Sequence, residues 1–165
     1  MTPGALLIAV VPAVVAVDQV TKVLAARAMH GRPAITLIEG HFKLTYVRNH
    51  GAAWSIFSDA PSAVRVPLFI AVSMLAMACI LHVYRRLGPG ERLLRTGLAL
   101  ILGGALGNFI DRLRNGYVVD FIAWSWHDLH WPRFNVADVA ISCGIVVMLW
   151  AVVARRRRER PVKVA

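Results

Sequence analysis

The sequence predicts a membrane α-helical fold, with four transmembrane helices and a small β hairpin or sheet and an interfacial loop on one side. Three observations predict it. Of the 165 residues, 58% are apolar and only 17% charged, and the mean hydropathy is +0.59, too apolar for one soluble domain of this length. Four runs, 5–26, 66–84, 93–110 and 136–153, reach the roughly 20 mainly apolar residues that a helix needs to cross hydrocarbon. The basic residues cluster beside these runs. The segment 155–163 alone holds six of them against one glutamate, half of the net charge of +10. Such clusters suit anionic headgroups and topology signals, so no nucleic-acid partner is expected. The organisation expected is one integral membrane domain over 1–165, with an outer β-like segment near 33–60 and a basic tail over 155–165.

Span one is a poor secretory signal peptide. No Lys or Arg precedes its apolar stretch, which runs straight into Asp18, Gln19 and Lys22, so it is expected to stay in the mature protein. Spans two and three are joined by a turn with Arg85, Arg86, Arg92 and Arg95 within eleven residues. Basic residues in short loops mark the cytoplasmic face, so this turn and both termini are expected inside. The two longer connections then lie outside, and they hold Trp54, Trp124, Trp126 and Trp131, as an interfacial aromatic belt requires. In the first, Ile35 to Ile38 and His41 to Val47 flank Glu39-Gly40 with partial alternation, which predicts a hairpin at the membrane surface. Asn115-Gly116 should close the third helix with an αL cap, and the following residues through Ile122 read as a short extended piece. Asn135 is an N-cap candidate for span four. Cys79 and Cys143 sit in apolar runs without CxxC spacing and suggest neither a disulfide framework nor a zinc site.

Ionisable residues in a span are costly and ask for a reason. Here they share one side. Asp18 and Lys22 lie toward the outer end of span one, Asn108, Asp111 and Arg112 at that of span three, Asp120 just beyond it, and Asp138 in the first turn of span four. Asp18 and Lys22, spaced i,i+4, share a face and can neutralise each other. Asp111 and Arg112 point about 100° apart and should pair with other elements. Asp138 either stabilises the helix dipole or does chemistry, and spacing alone leaves both readings open. Gly103-x-x-x-Gly107 permits close helix approach, expected to bring the polar end of span three beside span four.

Two carboxylates in apolar surroundings invite a paired-acid mechanism, in which repulsion and desolvation keep one protonated while the other stays a base. Such a pair can activate water and protonate a departing amine. Ser55, Ser58 and Ser125 lack a GxSxG context, Lys22 has no serine at helical spacing, and His127 with His130 lacks the glutamate of a zincin motif and reads as a hydrated interfacial loop. Two other classes stay open: a small polar-lined transporter and a non-catalytic membrane binding protein. Transport favours polar residues at the midplane and in both halves of the spans, whereas here they keep to one side.

Five ordered blocks now carry a resemblance. They are Asp18-Gln19-Val20-Thr21-Lys22, Arg48-Asn49-His50-Gly51-Ala52-Ala53-Trp54-Ser55, the stretch from Gly103 to Arg112 that ends Asn108-Phe109-Ile110-Asp111-Arg112, Val118-Val119-Asp120-Phe121, and Phe134-Asn135-Val136-Ala137-Asp138. Over most of its length the chain resembles bacterial lipoprotein signal peptidase, the type II signal peptidase, an intramembrane aspartic protease of the inner membrane. The resemblance implies that Asp120 and Asp138 are the catalytic dyad. It implies cleavage of diacylglyceryl-modified prolipoproteins just before the lipidated cysteine. Asn49, Gly51, Asn108, Arg112 and Asn135 match positions that bind substrate or the antibiotic globomycin, and Asp18, Lys22 and Asp111 match structural ones. No metal or organic cofactor is implied, the partners are prolipoproteins and membrane lipids, and a monomer is expected. A lipidated substrate presents its scissile bond at headgroup level, the depth at which the aspartates converge. Asp138, in a helix first turn, is expected to be the resting base and Asp120 the protonated partner.

Overall fold

A computed structural model of the chain describes residues 2–51 and 61–158. Trp54, Ser55 and Ser58 lie outside the described residues, as does the tail beyond 158. Four helices, α1 (Pro3–Met29), α2 (Ser62–Arg86), α3 (Arg92–Asn115) and α4 (Val136–Arg158), alternate with four strands, β1 (Ile35–Ile38), β2 (Phe42–Asn49), β3 (Val118–Trp126) and β4 (Leu129–His130). All four helices are long and apolar enough to cross a membrane. Each extends beyond the apolar run that announced it, because polar residues at an interface continue a helix as readily as apolar ones do.

The ends obey local rules. Thr2 caps α1 by accepting from the Ala5 amide at 3.2 Å, and Pro3 follows in the first turn, where its missing N–H costs nothing. Gly116 (φ +73°) ends α3 as the αL cap, its N–H donating to Arg112 O. Helix α3 is the hub. It lies against α1, α2 and α4, most extensively α4. The apolar side chains that face away from the bundle, such as Ile8, Leu24, Val72, Leu75, Leu149 and Trp150, are more than half exposed. That outward-facing apolar surface is stable only in hydrocarbon.

Small residues set the helix spacing, with one difference from the sequence reading. Gly103 and Gly107 face α1: a Cβ on Gly103 would stand 2.8 Å from Val14 Cβ, and one on Gly107 2.5 Å from Asp18 Oδ2. The contact with α4 is made mainly by Gly104, under Ala137 O, and by Gly97, against Gly144 and Met148, with Gly107 also 3.4 Å from Ala137 Cβ. The GxxxG pair therefore seats the charged stripe of α1, and a second glycine row, one position out of phase, seats α4.

The strands form one antiparallel sheet in the order β1-β2-β3-β4. The predicted hairpin is present, turning at Gly40 (φ +73°). The extended piece after α3 runs on to Trp126 and pairs with β2, Asn49 opposite Val118 and Val47 opposite Asp120, with an irregularity between Leu44 and Val47. His130 lies in β4 and His127 in a positive-φ turn (φ 53°), both exposed, so the pair expected in a hydrated interfacial loop sits on a second hairpin. Ala25 and Met29 of α1 pack on Phe121, with Leu44, Ile122 and Val136 around them, and this cluster fastens the sheet to the helix ends.

Candidate active site

The polar side chains of α1, α3, β3 and α4 meet where sheet and bundle join. Lys22 is at the centre, 3% exposed. Its three ammonium protons have three acceptors: Asp18 Oδ2 at 2.9 Å, Asp111 Oδ2 at 3.0 Å and Asn108 Oδ1 at 2.9 Å. Buried charges persist only when paired and hydrogen-bonded, and here both carboxylates also hold backbone, Asp18 through its other oxygen and Asp111 through the same one. Asp18 Oδ1 accepts from the Ala137 amide at 2.9 Å, in the first turn of α4, where the helix dipole favours an anion. Asp111 Oδ2 accepts from the Val119 amide at 3.0 Å, one residue before Asp120. Gln19 closes the arrangement, donating to Asp18 Oδ2, Asp111 Oδ1 and Gly107 O at 3.0–3.2 Å. The expected Asp18–Lys22 pair thus forms, and Asp111 pairs across elements.

From this base two further carboxylates are positioned. Asn135, fully buried, is the N-cap of α4: its Oδ1 accepts from the Asp138 amide at 3.1 Å while Asp138 Oδ2 accepts from the Asn135 amide at 3.1 Å. This reciprocal capping box fixes one oxygen of Asp138. The other accepts from Asn108 Nδ2 at 2.9 Å. Asn135 also donates through Nδ2 to Asp120 Oδ1 at 2.7 Å and to Asn108 Oδ1 at 3.1 Å. Asp120 Oδ2 accepts from Asn49 Nδ2 at 2.8 Å, and Asn49 is oriented in turn by the buried Gly51, whose amide donates to Asn49 Oδ1 at 3.0 Å. The Asn135 carboxamide therefore joins the Asp120 carboxylate to the Asp138 backbone, and Asn108 carries the link on to the Asp138 carboxylate, whose charge acts on Asp120.

Burial pushes the Asp120 carboxyl up to about 6; the Asn49 hydrogen bond opposes that shift and the nearby Asp138 charge adds to it. Asp120 is 2% exposed, whereas Asp138 is half-buried. Arg112 donates to Asn108 O at 3.4 Å and lies over the Phe69 ring, 5.1 Å from its centre, which holds its charge at the rim of the same junction. All ten residues singled out from the sequence lie in or beside this junction. Sequence reasoning gave no role to Gln19, although an uncharged polar side chain between Asp18 and Lys22 in an apolar span was a usable signal. It also missed a neighbouring group on the sheet, where Arg48 bonds His30 at 2.8 Å and lies over the rings of Tyr46 and Tyr117.

Four membrane-spanning helices, a surface sheet and two linked carboxylates at their junction define a class, the integral membrane protein equipped for acid–base chemistry at the interface. The family model described as Signal peptidase (SPase) II matches residues 10–154, and the chain belongs to that family. It is 44% identical to the lipoprotein signal peptidase of Geobacter sulfurreducens over 93% of its own length and 94% of the relative's. It is 38% identical to that of Listeria monocytogenes over 92% and 95%. Among solved structures, a bacterial membrane enzyme determined by the in meso method at 2.3 Å superposes with a TM-score of 0.83 at 28% identity, over 96% of this chain and 94% of the other.

Proposed function

We propose that Asp120 and Asp138 are the catalytic pair of this signal peptidase, which removes signal peptides from prolipoproteins in a bacterial membrane, and that the cut falls just before a diacylglyceryl-modified cysteine. The observation that carries the assignment is the single Asn135 carboxamide joining the buried Asp120 to the half-buried Asp138. Asp138, whose two oxygens accept from the Asn135 amide and from Asn108 Nδ2, is the base; Asp120, pushed up to about 6 by burial, carries the proton. Asp138 takes a proton from water as its oxygen attacks the scissile carbonyl carbon, and Asp120 gives its proton to the carbonyl oxygen. When the tetrahedral intermediate collapses, the C–N bond breaks, Asp138 passes its proton to the leaving nitrogen, and the intermediate's hydroxyl proton returns to Asp120. Asn49, Gly51, Asn108, Arg112 and Asn135 position the substrate and the pair, while Asp18, Lys22 and Asp111 hold the frame.

The same reading places the pair at the outer face and both termini in the cytoplasm, supported by the four arginines of the α2–α3 turn at the opposite end. The chain acts as one membrane domain and as a monomer. Its net charge serves the membrane flank rather than a nucleic acid. Processing of a diacylglyceryl-modified prolipoprotein by wild type, Asp120→Asn and Asp138→Asn, with globomycin as control, tests the proposal. Globomycin-sensitive cleavage lost in both folded variants supports it; full activity in either one overturns it.

A further inference from the structure

At the end of the bundle opposite the carboxylates, two cavities open on either side of one turn. The larger, about 540 Å³, lies between the start of α1, the end of α2 and the start of α3, with Leu6, Leu87, Arg92 and Arg95 in its wall. The smaller, about 350 Å³, lies between the start of α3 and the end of α4 and shares Gly90 and Arg92 with it. The walls are mixed. In the larger cavity Leu6 and Leu87 give apolar surface and the charged atoms come from Arg92 and Arg95 at the start of α3.

Two of these arginines have donor capacity to spare. Arg95 gives one guanidinium N–H to Leu87 O at 2.5 Å, yet its Nε is buried with no hydrogen-bond partner among the described residues. A buried donor left in that state is costly unless something accepts from it. Arg92 is exposed and makes no ion pair among the described residues. Glu91, the one carboxylate nearby among the described residues, lines only the smaller cavity and is committed elsewhere, to Arg155 at 2.9 Å and to the Gly88 amide at 2.6 Å. The larger cavity thus joins an apolar wall to two arginines that no acid among the described residues balances, at the depth where the spanning helices end.

We infer that this cavity is a binding site for an anionic phospholipid of the surrounding leaflet, its phosphodiester held by Arg92 and Arg95 and its glycerol and upper acyl carbons lying against Leu6 and Leu87. Guanidinium groups match phosphate oxygens in geometry as well as charge, and basic pockets between spanning helices take anionic headgroups. The inference rests on the membrane embedding of the bundle and on no step of the cleavage reaction, so failure of one leaves the other standing.

Native mass spectrometry of the full-length protein, released from detergent with equal amounts of phosphatidylglycerol and phosphatidylcholine, tests it. Wild type should retain phosphatidylglycerol preferentially. Arg92→Gln should weaken retention about fivefold and the double Arg92→Gln, Arg95→Gln about 25-fold, from the usual contribution of one basic residue at a membrane surface. Arg114→Gln, an exposed arginine at the other end of α3, should leave it unchanged. Because Arg95 also holds Leu87 O, Arg92→Gln alone decides the matter if the double variant does not fold. Equal retention of both lipids, no change in Arg92→Gln, or an equal loss in Arg114→Gln overturns the site. Displacement of the lipid by millimolar inorganic phosphate overturns the lipid assignment in favour of a general phosphate site.

Discussion

The two ends of the helix bundle handle charge in opposite ways. At the sheet end Asp18 and Asp111 are buried within hydrogen-bonding distance of Lys22, and every oxygen or proton the three offer has a partner. At the other end arginines crowd a turn, and the pair that Arg155 makes with Glu91 leaves its guanidinium largely in the open. Burial makes the first arrangement depend on complete pairing, because an orphaned charge cannot recover its solvation there. Exposure lets the second tolerate like charges, since headgroups and water screen them. Chemistry that needs a fixed distance between two acids belongs at the first end, and attachment to a fluid surface at the second.

The largest break in this contrast comes from the carboxylates themselves: Asp120→Asn and Asp138→Asn should each lower the single-turnover cleavage rate by about 10²–10⁴-fold, the usual contribution of one acid–base group, with circular dichroism unchanged. Lys22→Met should come next. It strands Asp18 and Asp111 in the interior and should cost about 3–5 kcal/mol, read as a fall in the thermal unfolding midpoint in detergent. Gly107→Ala sharpens the geometry. The added methyl meets Asp18 Oδ2, so a loss of about 1–3 kcal/mol is expected, and a midpoint equal to wild type would show that α1 can yield. The pH profile adds a milder effect. Asp120 is raised to about 6 by burial, so the protonated form needed for electrophilic help is present below that value and lost above it. Cleavage should fall toward tenfold per pH unit on the alkaline side. Glu91→Gln, at the exposed end, should move the midpoint least, by less than about 1 kcal/mol.

Much of this was legible in the sequence because it is local. Twenty apolar residues announce a span wherever they occur, Asn115-Gly116 announces an αL cap, and Asn135 three residues before Asp138 announces a helix start. The shared depth of Asp18, Asp111, Asp120 and Asp138 could be read from their positions in the runs. What could not be read is the choice among partners. Lys22 had one acceptor in view at i−4, and its second came from α3, 89 residues further along the chain. A small hairpin or sheet was visible, but not its pairing, since the register of Val47 with Asp120 joins segments that no periodicity connects. The glycine spacing announced close contact but not its direction: one residue of phase on α3 decides whether a glycine faces α1 or α4.

The Asp111 carboxylate holds the Val119 amide, and through it a strand, against a helix that it also pins to α1. Asp120 travels with the sheet and Asp138 with the bundle, and the two bodies rest on different parts of the membrane: one in its hydrocarbon, the other against its surface. The separation of the two acids is therefore a reading of how far the surface layer stands from the interior. The single Asp111 clasp thus carries the alignment of two acids that neither the sheet nor the bundle could fix alone.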